Sequence, residues 1–579
     1  MASRKTKAAA AVTSPANVGV KRTTASRTSA TTAPKPSKVT KKPATKVATK
    51  AAAAKVAKAA AAKPAPKKTV KKPAPKKSKV APKPAPEEDA EIEEEEEEEE
   101  DVETATSDKE ETPAPKPAVS RKRSRTQESE ALPVAKKPKI GPSINTPPTQ
   151  RLDVYVFGAG ENNELGLGAA KIDGKPPMNV KRPRYNPFLK GVTQVAVGGM
   201  HCVALTDDQR ILTWGVSDGG SLDRDTSSYE APAKDMDADS VDEDDDDVVL
   251  NPVESTPTAI STDFLGGRKV AQVIASDSAS FVLTEDGYVY GWGSFIGNDG
   301  IIGFTAEGAS MAAKERDGNL KKKLQIQVEP MLIPGLKNIK SLARGGNHVM
   351  ALDNKGTVFT WGAHEQNQLG RRVNNRFKFA ALTPTPVLKK CKSIAGGTYH
   401  SFAINTKGQT GIVSNAGEDG AIISNPTVVE AFEGFDIKQI KGCQHHSIAC
   451  TEKQEVLVVG RCDEGQSGLD LSSVDQDILI LSPTTSKPSI LKVPTVVPSI
   501  KATFVAGAID NNIVLTEDGK VWTWGYGENY RTGLGSDDTT RTPTLIENSA
   551  IKGKKATFAG CGGQFGVIDG PEVTTSSDN

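Results

Sequence analysis

The sequence predicts an all-β protein, a seven-bladed β-propeller over residues 151–570, with a disordered charged tail at 1–150 and a disordered C-terminus at 571–579. Three observations predict it. One short motif returns seven times after residue 150, and a second motif follows it at constant distance. The repetitive region also starts and stops on complementary halves of the same unit.

The tail comes first. Residues 1–140 hold no Phe, Tyr, Trp or Cys and a single glycine, so all 28 aromatics lie beyond them and no apolar core can form there. The net charge of +2 is a cancellation: residues 1–86 carry +23, residues 87–111 carry −16 and residues 112–140 carry +6, which leaves −11 for the remainder.

In the basic arm, Lys63, Lys67, Lys68, Lys71, Lys72, Lys76 and Lys77 alternate with Pro and Ala. Proline keeps such a segment extended, and spaced ammonium groups suit sequence-independent contact with DNA phosphates, strong at low salt and weak at high salt. Glu93 to Glu100 followed by Asp101 form an acidic run, either a site for a basic histone-type partner or an internal competitor for the arm. Beyond it, Arg121, Lys122, Arg123 and Arg125, then Lys136, Lys137 and Lys139, have the spacing of a two-part nuclear-import signal, which implies an import receptor and a nuclear, chromatin-associated protein. No apolar run approaches the ~20 residues a membrane helix needs, and the N-terminus lacks the apolar core of a signal peptide.

Next come the repeats. Gly-Gly-Met-His201-Cys-Val-Ala-Leu-Thr206 returns around His348, His400 and His446, with variants at Ala279, Asn511 and Phe565. The second half is Thr213-Trp-Gly215, repeated at Trp292, Trp361, Val459 and Trp524, with a leading copy at Phe157. Thr-like and Trp-like residues stand eight apart in every complete copy, as in 206 to 214 and 516 to 524. Alternating apolar residues around Asp286-Gly287, Lys355-Gly356 and Asp518-Gly519 turns spell β-hairpins. The half repeat at 153–168 and the half at 559–568 would pair to close a ring and hide its edges.

Three copies depart from the pattern. From the Trp-like residue to the glycine of the following Gln-Leu-Gly motif the interval is nine in most copies, but the third has eleven, 292 to 303, with a tight-turn signal at Asp299-Gly300. A hairpin projecting from the rim is expected there. In the fifth copy the seventeen residues from the Thr-like position to that glycine shrink to six, Asn405 to Gly411. That reads as a lost strand, either an error of the coding sequence near Gly408-Gln409 or a degenerate blade. Residues 228–249, with four consecutive aspartates, read as a disordered surface loop.

These motifs, with Gln368-Leu-Gly370 and Leu165-Gly-Leu-Gly168, resemble the repeat of the regulator-of-chromosome-condensation family over essentially all of residues 152–569. Gly198-Gly-Met-His201, Asp223-Arg-Asp-Thr-Ser227 and Trp292-Gly-Ser-Phe295 are similar to the branch that exchanges guanine nucleotide on the Ran GTPase, here a fungal-type member with a long N-terminal tail. A Kelch propeller lacks these elements and ranks well behind.

The resemblance implies that Ser294, Phe295, Ile296, Gly297, Asn298, Asp299, Gly300, Ile301 and Ile302 form a wedge entering beside the GTPase phosphate-binding loop. Ile296 replaces an arginine usual at its place, which removes any ion pair that arginine would make. It further implies GTPase contacts at Glu161, His201, Asp277, Asn347, His348, Gln444, His445, His446 and Asn511. Four histidines on one repeat position also fit a purely structural role. The implied partners are Ran and the nucleosome, with no membrane. Bond-breaking catalysis is not expected: no serine, cysteine or carboxylate recurs beside the histidines, the six cysteines form no C-x-x-C pair, no metal or cofactor is implied, and the glycines sit at turn spacing. A chromatin-binding propeller without exchange activity is the alternative, motivated by Ile296 and the short fifth copy.

Overall fold

A computed structural model describes residues 139–217, 219–229, 249–408, 410–413, 423 and 425–573. Its architecture is an all-β propeller, and among the described residues the strands form seven sheets of four or five strands and one two-stranded ribbon. The first sheet joins both ends of the ring: Leu152–Gly158 and Val180–Tyr185 pair with Phe565–Pro571 and Phe558–Cys561. Leu152 stands opposite Pro571 and Gly158 opposite Phe565 in unbroken antiparallel register. The Glu572 N–H donates to Arg151 O at 2.9 Å, so order runs past the expected boundary at 570.

Each later sheet repeats one hairpin plan. The second begins with Val192–Val197, His201–Thr206 and Ile211–Gly215, and the third with Val270–Ala275, Ala279–Thr284 and Val289–Gly293. The fourth, sixth and seventh are built on the hairpins of His348–Asp353, His446–Thr451 and Asn511–Leu515. First strands of successive sheets touch in cyclic order, with Val192–Val197 meeting Phe558–Cys561 to complete the circuit.

The fifth sheet overturns the expectation of a lost strand. Thr410–Val413 pairs with Ser401–Asn405, and Ser401 faces Val413 just as Val349 faces Trp361 in the fourth sheet. Asn405 to Val413 therefore keeps the eight-residue spacing. Gly411 is a mid-strand residue opposite Ala403, not the loop glycine for which its spacing was read.

At three joints the sheets are fastened to one another by the loop that follows the third strand. The Glu164, Ser221 and Gln466 carbonyls accept the indole N–H of Trp214, Trp292 and Trp524 of the next sheet at 3.1, 2.7 and 3.0 Å. Only glycine fits beside the clamped indole at two of these joints: a Cβ on Gly166 or Gly468 would lie within 2.7 Å of the ring, and both have left-handed φ, +63° and +66°. Buried tryptophans thus gain a partner for the one polar atom they carry.

Residues 139–150 were expected to be disordered, yet the described part docks on the third sheet. The Gly141 N–H donates to Asp286, and the Ile144 and Asn145 N–H groups donate to Glu285 O at 2.7 and 2.9 Å. Asn145 Nδ2 adds bonds to Thr284 O and Ile339 O. Beneath this strap, Arg268 and Asp286 form an ion pair at 3.0 Å with both side chains almost fully buried. Burial pushes the Asp286 carboxyl up, but bonds from Thr284 and Gly141 and the Arg268 charge hold it below the usual carboxylate range.

Candidate functional site

Strand direction separates two faces. Turns between first and second strands, and loops after third strands, lie on one face; the hairpin turns that hold the strap lie on the other. The projecting hairpin, the Gly-Gly-x-His turns and Glu161 share the first face.

The hairpin expected after Trp292 is present. Phe295–Gly297 pairs with Gly300–Gly303, and Asn298, Asp299 and Gly300 form an exposed tip. Gly300 has φ +97°, a turn geometry that suits glycine. Ile296, Gly297, Ile301 and Ile302 are half-exposed flanks, whereas Ser294 and Phe295 are buried and anchor the base. Phe295 stacks at 6.1 Å on Phe281 and at 5.8 Å on Phe304.

Two side chains brace the hairpin. Asn347 Oδ1 accepts the Ile296 N–H at 3.0 Å, and Gln325 Nε2 donates to Ile301 O at 2.8 Å. Gln325 ends a pair of helices, Ala306–Lys314 and Gly318–Gln325, capped by Thr305 and Asp317 side chains. Sequence reading did not foresee this pair, although its two caps are legible signals. Because the Ile296 main chain is held by Asn347, the flank keeps an anchor without the arginine of the family pattern.

The repeated histidines are buried. His201, His348 and His446 are at most 2 % exposed. Their Nε2 atoms reach Ser280, Ser401 and Asn512 of the next sheet at 3.0, 2.8 and 3.0 Å, and His400 reaches Ser447 at 3.0 Å. Ser280 and Ser401 give their own protons to Ser221 O and Gln368 O, and Asn512 presents its carbonyl oxygen, so Nε2 of His201, His348 and His446 must carry the proton. The rings are neutral: burial pushes His201 and His446 down to about 4 and His348 and His400 to about 3. Asn511 occupies the same repeat position and is equally buried, donating to Arg531 O. His201, His348, His446 and Asn511, for which the resemblance implied GTPase contacts, are thus buried and bonded within the ring.

The residue just before each of these positions is less buried. Asn347 is half-exposed, and His445 is exposed, as is Tyr399, which sequence reading did not single out and whose ring lies 5.7 Å from that of His445. Glu161 is exposed, and Gln444 and Asp277 are half-exposed. Confinement between neighbouring turns raises the Asp277 carboxyl above its usual range, while Arg344 and Lys441 pull it back. Arg461, also missed, bonds Asp463 at 2.7 Å beside His445.

Of the import and tail residues only Lys139 is described, and it is exposed. Arg121, Lys122, Arg123, Arg125, Lys136, Lys137 and the seven tail lysines lie outside the described residues, as does most of the 228–249 insertion. All six cysteines are buried free thiols, and among the described residues no group of His, Cys, Asp or Glu could hold a metal ion. No described helix is long and apolar enough to cross a membrane.

The RCC1-like domain model matches residues 153–568. Protein pim1 of Schizosaccharomyces pombe is 37% identical over 73% of this chain and 75% of its own length. The guanine nucleotide exchange factor SRM1 of Saccharomyces cerevisiae is 35% identical over 73% of this chain and 88% of its own. Among solved structures, Prp20p of Saccharomyces cerevisiae, described with its binding to Gsp1p and histones, superposes with a TM-score of 0.63 at 32% identity, over 74% of this chain and 94% of that one. Yeast RCC1 (Prp20) bound to Kap60 gives a TM-score of 0.64 at 31% identity, over 78% and 97%.

Proposed function

The chain belongs to the regulator-of-chromosome-condensation family, and on that premise we propose that it is the guanine-nucleotide exchange factor of the Ran GTPase, acting on chromatin in the nucleus. One observation carries the reading: the only two-stranded ribbon among the described residues stands on the loop face, where the family resemblance expects a wedge, and is braced from both sides.

Exchange needs no bond-breaking group. A GTPase holding nucleotide at nanomolar affinity is stabilised by about 12 kcal/mol. Release accelerates when a partner binds the empty form better than the loaded one, and the coupling is reciprocal. The seven sheets act in this reading as seven blades of a closed, preorganised platform. From it, Asn298, Asp299 and Gly300 enter beside the phosphate site, while Glu161, Asp277, Gln444 and His445 dock the GTPase. Asn347 serves as a brace of the wedge.

Chromatin contact belongs to the tail, whose charge of +23 over residues 1–86 offsets the acidic remainder. The relatives that bind histones and Kap60 support a nucleosome and an import receptor as partners. The alternative without exchange activity loses half its motivation, since the fifth hairpin is intact.

Release of a fluorescent GDP analogue from Ran tests the reading. Acceleration by the full chain is expected, and an unchanged release rate refutes it. Removal of residues 1–138 is expected to weaken nucleosome binding at low salt while sparing exchange in solution. Equal loss of both would refute the division of labour.

A further inference from the structure

Where the seven first-to-second-strand turns converge on the ring axis, they enclose a pocket of about 390 Å³ on the wedge face. Nine of its lining residues are glycines, from Gly198 to Gly563. Three charged side chains join them: Asp277, Arg344 and Lys441.

Arg344 reaches across the axis from the fourth sheet. Its Nη2 donates to Cys561 O at 3.3 Å, and its Nη1 lies 3.9 Å from Asp277 Oδ1. Asp277 is also approached by Asn347 Nδ2 at 3.4 Å, so its carboxylate is already engaged at the rim. Lys441 enters from the sixth sheet as a second cation. The other titratable groups around it are neutral: burial lifts the Cys443 thiol far above its usual range and Cys561 to about 12, and holds His348 and His400 uncharged. Two cations thus face one carboxylate in an enclosed place. Burial, with Arg344 adding to it, pushes the Lys441 ammonium down to about 7.

We propose that this axial pocket is a binding site for a small oxyanion of phosphate type, held between the Arg344 guanidinium and the Lys441 ammonium. The guanidinium presents a fork of donors that fits oxyanion geometry, and the ammonium supplies a point charge. The lining glycines leave room for the anion to approach backbone. The site is separate from the tail and does not depend on the exchange reading.

The test uses the full chain in buffers of equal ionic strength, with inorganic phosphate replacing chloride from 0 to about 20 mM. Binding to the folded state raises the melting temperature by mass action, by a few degrees at about 100 times the dissociation constant. The wild-type chain is expected to show that shift. Lys441→Met, which keeps an unbranched side chain one atom shorter and removes its charge, is expected to lose it and to melt higher than wild type without phosphate. Equal shifts in both proteins would assign the effect to the tail and overturn the site. So would no shift in the wild type. Should Lys441→Met fail to fold, calorimetric titration of Arg344→Met with phosphate carries the same decision: at least a tenfold weaker affinity supports the site, and unchanged affinity overturns it.

Discussion

The loop after the third strand does opposite things in neighbouring parts of the ring. After the second and sixth sheets it folds back, and its Ser221 or Gln466 carbonyl clamps the tryptophan of the sheet that follows. After the third sheet it leaves the ring as the Phe295–Gly303 hairpin, and Phe295 and Phe304 fill the space beside Phe281 and Trp361. One kind of loop trades adhesion between sheets for an exposed, projecting tip. Two added residues suffice for the trade because the aromatic stack replaces the clamp's packing and Asn347 and Gln325 hold the hairpin's main chain.

Damage to the clamp should therefore be felt as stability and damage to the hairpin as function. Trp292→Ala removes a fully buried indole and its bond to Ser221 O, and should cost about 3–5 kcal/mol in denaturant unfolding. A loss below about 1 kcal/mol would mean the loops do not fasten the sheets.

The histidine staples belong to the same side of the comparison and are checked by pH. In the folded chain His348 stays neutral down to about 3, whereas in the unfolded chain it protonates near 6.5. Its pKa is depressed by folding, so the stability it contributes is present above pH 6.5 and falls as pH drops toward 3. His348→Asn, the residue found naturally at position 511, should be less stable than wild type at pH 7.5. That gap should narrow by up to about 1.4 kcal/mol per pH unit below 6.5. A pH-independent gap in paired urea melts would show that the ring is not held neutral.

Asn347→Ala has the smallest expected effect on folding. Losing the acceptor for the Ile296 N–H costs about 1 kcal/mol locally, so the melting temperature should barely move. Exchange should fall several-fold, because the hairpin is less well held. If exchange and stability fall together, Asn347 is part of the scaffold instead.

Much of this was legible because a hairpin writes its register into spacing. The eight-residue interval located the hairpins, and the split half repeats foretold that the strand through Tyr155 and Gly158 pairs with the one through Phe565 and Ile568. The excess of two residues at 292–303 marked the projecting hairpin. The fifth copy was misread because Gly411 sits where spacing alone suggests a loop glycine, although Asn405 to Val413 holds the interval once the strand is allowed a Val in place of Trp. The histidines misled for a related reason. A residue that recurs at one position in four of the seven sheets and is buried there is one the ring itself uses, and the less buried side chain is the variable one before it, Asn347, Tyr399 or His445. The strap at 139–150 left no trace in composition, since its hold on the third sheet is made largely by backbone N–H groups.

The most direct test replaces the tip and measures both sides of the comparison on one protein. In Asn298→Ala/Asp299→Ala the exposed tip loses its side chains while the Phe295 base, the Asn347 brace and the Gln325 brace remain. Nucleotide release from Ran, read with a fluorescent GDP analogue, should slow by about 10- to 100-fold relative to the wild-type chain, equivalent to about 1.4–2.7 kcal/mol. The melting temperature should stay within about one degree of wild type. Undiminished release by this variant, or a fall in release matched by a fall in melting temperature, would contradict the assignment of the hairpin to exchange.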